Sequence, residues 1–227
     1  DEVLKMAILQ VLGKMDETEI TVSDAQKITA LNLSDFSLYS LKGLEAFTGL
    51  RELNLSGNNF CDLTPLSELN NLETLDLSHN RIKDISQLSN LTNLKNLSIA
   101  YNLITDLTAL SNLKVLERLE VQYNPIADFE VFEQLINLQQ LDISGVELPD
   151  GNLDFLSGQE NLTLLYASKC GLMTAQGLTS NVLEYLDLRS NQITMLGDLI
   201  LNNSKSIVLS DNPIIDISAL CGASDLY

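Results

Sequence analysis

The sequence has no tryptophan, one histidine and three cysteines, and aromatic residues make up only 5% of its 227 positions. Cations are scarce as well: 13 Lys and Arg face 31 Asp and Glu, a formal net charge of −18. A polyanion of this kind is repelled by phosphate backbones, which argues against nucleic-acid partners and acidic membrane surfaces. Cys61, Cys170 and Cys221 are odd in number and far apart, and no C-x-x-C occurs. That pattern indicates neither a disulfide framework nor a zinc site, and it leaves the redox compartment open. No apolar run approaches the roughly 20 residues of a membrane span, so no membrane insertion is expected. The apolar start, Val3 to Leu12, is broken by Lys5 and Gln10 and lacks a small-residue cleavage site. It is a poor signal peptide. The chain opens on Asp1 without a Met, which leads to the expectation that a leader has already been removed.

What the chain does have is leucine at a fixed period. From Leu50 the pattern L-x-x-L-x-[LIV]-x-x-N-x-[FI]-x-D-[LIF] recurs at Leu72, Leu94 and Leu116, and each start lies 22 residues after the last. A constant period of this size marks a solenoid of leucine-rich repeats. The last two leucines of L-x-x-L-x-L are two residues apart, so they face one side of a short strand. One coil cannot bury that face alone, whereas stacked coils merge their leucines into a continuous core. Asn58, Asn80, Asn102, Asn124, Asn191 and Asn212 fall where the chain leaves the strand. Backbone groups there would be buried without partners, and an amide side chain supplies both donors and an acceptor. This column is therefore structural.

In chain order, residues 1–27 do not fit the repeat and read as a helical N-terminal cap. Val3, Leu4, Ala7, Ile8, Val11 and Leu12 have helical spacing, and the helix ends near Gly13. An acidic turn (Asp16, Glu17, Glu19) follows, and Ser23-Asp24 reads as the start of one further helical turn. Repeats occupy 28–227, with starts at 28, 50, 72, 94, 116, 138, 162, 183 and 204. The long step to Leu162 places a turn at Pro149-Asp150-Gly151-Asn152. Phe36, Val146 and Cys170 stand at asparagine positions, and Cys170 reads as a buried, inert thiol. Leu226 reads as the opening of a tenth coil.

The block Asn80-Arg81-Ile82-Lys83-Asp84-Ile85-Ser86-Gln87-Leu88 resembles the 22-residue repeat of internalin-type bacterial surface proteins. The segment from Ala7-Ile8-Leu9 through Ile28-Thr29-Ala30-Leu31 resembles their helical cap. The resemblance spans almost the whole chain. It implies an α/β fold, a right-handed solenoid with a parallel concave sheet and short 3₁₀ or helical convex turns. It also implies export to the cell surface or medium and binding of another protein. An intracellular, cytoplasmic scaffold resembling a phosphatase regulator is the competing reading, and the N-terminal cap favours the surface protein.

Candidate binding residues follow from the period, because residues one repeat apart become neighbours about 4.8 Å apart. That brings His79, Tyr101 and Tyr123 side by side, with Arg118 and Glu120 on the strand leading to Tyr123. Asp142 lies next in the Glu120 column. A second group comprises Tyr166, Tyr185, Asp187, Lys169 and Arg189. Tyr and Arg are the side chains most enriched at protein interfaces. For catalysis, Asp76 and Ser78 share a face with His79, but an open sheet offers no pocket and no oxyanion donors, so no enzyme is expected. Asp150-x-Asn152-x-Asp154 opens like a calcium loop and then fails at Phe155 and Asn161, so it reads as a turn and no metal or cofactor is expected. Asp62, Asp84, Asp106, Asp128 and Asp216 recur at one position and read as caps of the convex turns.

Overall fold

The computed structural model describes residues 2–14, 19–178, 182–197, 199, 204–218 and 220. Asp16, Glu17, Cys221 and the expected coil opening at Leu226 lie outside them. Among the described residues, nine three-residue strands form one parallel sheet whose spatial order is the chain order: β1 Ala30–Asn32, β2 Glu52–Asn54, β3 Thr74–Asp76, β4 Asn96–Ser98, β5 Arg118–Glu120, β6 Gln140–Asp142, β7 Leu164–Tyr166, β8 Tyr185–Asp187 and β9 Ser206–Val208. Pairing follows the sequence period, Leu53 opposite Leu75 and Leu97 opposite Leu119. It absorbs the longer step by pairing Leu141 with Leu165. Short 3₁₀ turns, such as Thr64–Leu66 and Ser86–Leu88, return the chain on the other side.

Leucine burial is nearly complete. Leu50, Leu72, Leu94, Leu116, Leu138 and Leu162 are each 0% exposed, and each such side chain contributes about 1.5–3 kcal/mol. Ser204 replaces leucine at the ninth start and is buried too, its hydroxyl donating to the Leu183 carbonyl at 2.9 Å. At the front, α1 (Glu2–Val11) covers the first coil with Leu4, Ala7 and Ile8. It stops in a Schellman turn, in which Lys14 N–H donates to Leu9 O and Gly13, at φ +66°, donates to Gln10 O. The next helical turn, α2 (Val22–Ala25), begins earlier than Ser23-Asp24 suggested. Thr21 is its cap and accepts from the Asp24 N–H.

The asparagine column behaves as its chemistry requires. Asn102 donates to Leu77 O and Ile99 O at 2.9 and 3.0 Å and accepts from the Ile82 N–H at 3.0 Å, tying neighbouring coils together. Asn58, Asn124, Asn191 and Asn212 make equivalent bonds, and Asn80 makes the donor half. Where Cys170 replaces the amide, its thiol donates to Ile143 O at 3.2 Å, and burial pushes its pKa up to about 12. Cys61, by contrast, is exposed.

Two further columns complete the frame. Asp62, Asp84, Asp106, Asp128 and Asp216 each accept the N–H two residues ahead, such as Thr64 at 2.9 Å, which makes them Asx turns leading into the 3₁₀ segments. Asn152 and Thr174 take the same role in the irregular coils, so the calcium-like stretch is a member of this column. The sequence pattern did not reveal the second amide column. Asn71, Asn93, Asn137 and Asn161 donate to Thr48, Asn70, Lys114 and Ile136 carbonyls of the preceding coil at 2.6–3.0 Å. Gly49 holds this position in the first coil because Gln26 O passes 2.1 Å from where a Cβ would sit.

Replacing Asn102 by Ala strands carbonyls of two coils and should cost about 1–3 kcal/mol in urea denaturation. A negligible change would contradict the bonding described. The second column is interrupted at Val115, which is 43% exposed. Val115→Asn should bond the Thr92 carbonyl and raise stability by about 0.5–1.5 kcal/mol, read as a higher urea midpoint.

Candidate functional site

The sheet places three polar columns on its open face. Strand register sets Glu120, Asp142, Tyr166 and Asp187 in one row, and Arg118, Gln140, Leu164 and Tyr185 in the next. The third column lies just past the strands, where each coil still donates one N–H to the following coil. His79 donates to Ala100 O, Tyr101 to Gln122 O and Tyr123 to Ser144 O, each at 2.9 Å.

This third column has a backbone feature that the leucine spacing does not disclose. Asp35, His79, Tyr101, Tyr123, Lys169, Ser190 and Asp211 all adopt positive φ, as do Gly57 and Gly145. His79, Tyr101 and Tyr123 stand at +54°, +53° and +55°. Left-handed backbone is cheap for Gly or Asn and costs other residues on the order of 1 kcal/mol or more each. The chain nevertheless puts rings at three consecutive coils. They stack with centroids 4.2 Å apart for His79 and Tyr101 and 4.6 Å for Tyr101 and Tyr123, at interplanar angles of 12° and 20°. Tyr101 and Tyr123 remain 42% and 39% exposed. Desolvation raises the Tyr101 phenol above its ordinary pKa, as does the neighbouring Tyr123, so it is a neutral donor near pH 7.

The remaining expected residues are arranged differently from a free cationic patch. Arg118 pairs with Glu120 inside β5, Nε to Oε1 at 3.0 Å. Arg189 forks onto Asp187, Nε to Oδ2 at 2.7 Å, and Asp187 is only 3% exposed. Tyr166 and Tyr185 contact each other at 5.1 Å, tilted by 40°. Lys169 is exposed in the left-handed column. Asp142 is partly buried, and desolvation lifts its carboxyl above the usual range, with Glu120 and Asp187 adding repulsion. Asp76, considered beside His79, has its Oδ1 taken by the Ser78 N–H at 2.9 Å. Among the described residues no group of three His, Cys, Asp or Glu is placed to hold a metal ion, and no helix is long and apolar enough to cross a membrane.

One electrostatic device was missed in the sequence. Glu73 bridges Arg51 at 2.5 Å and Lys95 at 2.8 Å, and Glu184 pairs with Lys205 at 2.8 Å, forming a ladder of alternating charge beside the strands. Lys95, then Arg51, holds the Glu73 carboxyl below its ordinary value. Opposite charges spaced one repeat apart were the available signal. The ladder ties up cations beside the sheet, and the face beside it is left mostly acidic.

Replacing Tyr101 by Asn removes two ring contacts, each about 0.5–1.5 kcal/mol, and relieves a strained φ of similar size. Stability should therefore move by less than about 1 kcal/mol in urea denaturation. A loss above about 2 kcal/mol would mean that the rings serve the fold.

Family models agree with this architecture. The Leucine Rich Repeat model matches residues 49–70, the two-copy Leucine Rich repeats model 70–112, and a further Leucine Rich repeat model 179–197. No curated protein matches the sequence. Among solved structures, internalin C2 from Listeria monocytogenes matches 100% of this chain and 91% of its own at 28% identity and a TM-score of 0.81. Internalin inlF of the same organism matches 100% and 94% at 22% identity with a TM-score of 0.54, a likeness of fold. The TLR13–ssRNA13 complex is also similar in fold, at 21% identity, 87% and 36% coverage and a TM-score of 0.63. The repeat period, the nine-stranded sheet and the full-length likeness to internalin C2 identify this chain as a leucine-rich-repeat solenoid similar to the internalins.

Proposed function

We propose that the chain is a non-enzymatic protein-binding module of a secreted or cell-surface bacterial protein. Its concave sheet engages the partner, with the His79–Tyr101–Tyr123 stack as anchor and Tyr166 and Tyr185 as a second contact. The observation that carries this reading is the stack at left-handed φ. Rings held at a backbone conformation that disfavours them, and left 39–42% exposed at Tyr123 and Tyr101, add little to the core. They supply flat area with polar tips, the chemistry of interface hot spots. Solenoid folds present extended concave surfaces of this kind to partners. A net charge of −18 disfavours an RNA partner such as that in the TLR13 complex. Export is supported by the likeness to internalin C2.

The domain reading goes with this: residues 1–27 act as a cap and 28–227 carry the repeats. In pull-downs against host and envelope proteins, the Tyr101→Ala, Tyr123→Ala, Arg118→Ala triple variant should lose the proteins captured by the parent while its circular dichroism is unchanged. Unaltered capture would move the interface elsewhere. The coding sequence upstream of Asp1 tests export: a Sec leader supports it, and a start codon without one replaces it with the intracellular scaffold.

A further inference from the structure

The concave sheet carries a depression of ≈380 Å³ whose lining does not include the ring stack. Its polar lining comes from three neighbouring strands: Thr74 and Asp76 on β3, Asn96 and Ser98 on β4, Arg118 and Glu120 on β5. Strand pairing sets them in two rows, Thr74–Asn96–Arg118 and Asp76–Ser98–Glu120. With strands about 4.8 Å apart and alternate residues about 6.6 Å apart, the rows mark out a patch of roughly 10 by 7 Å, the footprint of one small ring compound. The leucines between them, Leu75, Leu97 and Leu119, are at most 1% exposed and belong to the core.

These groups are held in place by one another and keep bonding capacity in reserve. Arg118 reaches Glu120 through Nε and Nη2, and both bonds fall on Oε1, which leaves Oε2 and Nη1 for a ligand. Asp76 Oδ1 accepts the Ser78 N–H at 2.9 Å, and Asn96 donates to Thr74 Oγ1 at 3.2 Å. Asp76 Oδ2, the Asn96 side-chain carbonyl and the Ser98 hydroxyl belong to the same patch. The patch thus mixes both kinds of partner: carboxylates accept only, the guanidinium donates only, and the amide and hydroxyls do both.

We propose that this depression binds one neutral sugar residue, a hexopyranose on the glycan of a partner glycoprotein, whose hydroxyls donate to Asp76 and Glu120 and accept from Arg118 and Asn96. The inference deepens the reading of the concave sheet as the binding face and rests on that face, rather than the ring stack alone, meeting the partner. Charge excludes the simpler ligands. A phosphate or carboxylate offers acceptors alone and meets two carboxylates, and an ammonium offers donors alone and meets the guanidinium. A hydroxyl donates and accepts at one atom, so a rigid ring of hydroxyls satisfies both kinds of wall. An added peptide strand is disfavoured, because β4 is paired on both edges and has no free backbone to extend. The rings offer no stacking platform either, since His79 and Tyr123 cover Tyr101 at 4.2 and 4.6 Å. A single free sugar is therefore held by hydrogen bonds at ~1 mM, and several sugars on one partner add avidity.

Saturation-transfer NMR with the methyl glycosides of glucose, galactose, mannose and N-acetylglucosamine reads binding on the sugar's own protons. At least one glycoside should saturate the protein. N-acetylneuraminic acid and glucosamine, which carry a negative and a positive charge, should bind about tenfold more weakly or less. Asp76→Asn keeps the Oδ1 acceptor for Ser78 and should weaken the glycoside about tenfold, the loss of one charge-assisted hydrogen bond. Ser98→Ile fills the middle of the patch with a side chain that strands favour, and it should abolish binding. No saturable glycoside, an equal response from the charged sugars, an undiminished response in Ser98→Ile, or stronger saturation by N-acetyl-asparagine amide, which marks a peptide ligand, overturns the assignment. The glycoside panel uses the parent protein and does not depend on any variant folding. Stripping N- and O-linked glycans from the captured proteins should reduce their capture, and unreduced capture overturns the glycoprotein as the source. A silent panel with capture lost in Tyr101→Ala, Tyr123→Ala, which leaves all six lining residues intact, refutes the sugar site and leaves the stack interface standing. A saturating glycoside with unaltered capture by that variant refutes the stack and keeps the sugar site.

Discussion

Every coil of this protein must satisfy the backbone groups it buries where the chain turns off the sheet. Water cannot reach those groups and no regular element continues there, so side chains have to supply the bonds. The solution is the amide column. Asn102 reaches carbonyls of its own coil and the one before and receives an N–H from that earlier coil, so it fixes both turn and register. Leucines alone would bury apolar area in any stack, because hydrophobic attraction has no direction. Register comes from these polar bonds, together with the second amides at Asn71, Asn93, Asn137 and Asn161.

Register in turn creates the surface. Residues far apart in the chain meet only because the coils do not slip, so His79, Tyr101 and Tyr123 become one stack. The same lock builds the Arg51–Glu73–Lys95 ladder, in which one carboxylate holds two cations, while Arg118 and Arg189 are committed to the carboxylates two residues away. The open face therefore combines rings with carboxylates, of which Glu120 and Asp187 carry their own arginines. The irregular coils hold their place by substitution in kind. Cys170 bonds with its thiol, Asn152 and Thr174 continue the Asx column, and Ser204 bonds where a leucine would only pack.

The leucine period by itself determined the solenoid, the strand register, the amide column and the adjacency of the three rings. It could do so because a repeat of constant length maps sequence separation directly onto spatial separation. The extra residues near Pro149 were legible for the same reason, as a lengthened step in an otherwise fixed count. Tertiary structure alone decided the rest. That the ring column is left-handed depends on where the ladder N–H bonds close, which no side-chain pattern encodes. That Arg118 and Arg189 turn to their own strands, and that Asp35 rather than a bulkier neighbour stands over Gly57, depends on the direction each side chain leaves the backbone. Spacing reports which residues are neighbours; the angle at which they face each other is set by backbone torsions that only the folded stack imposes.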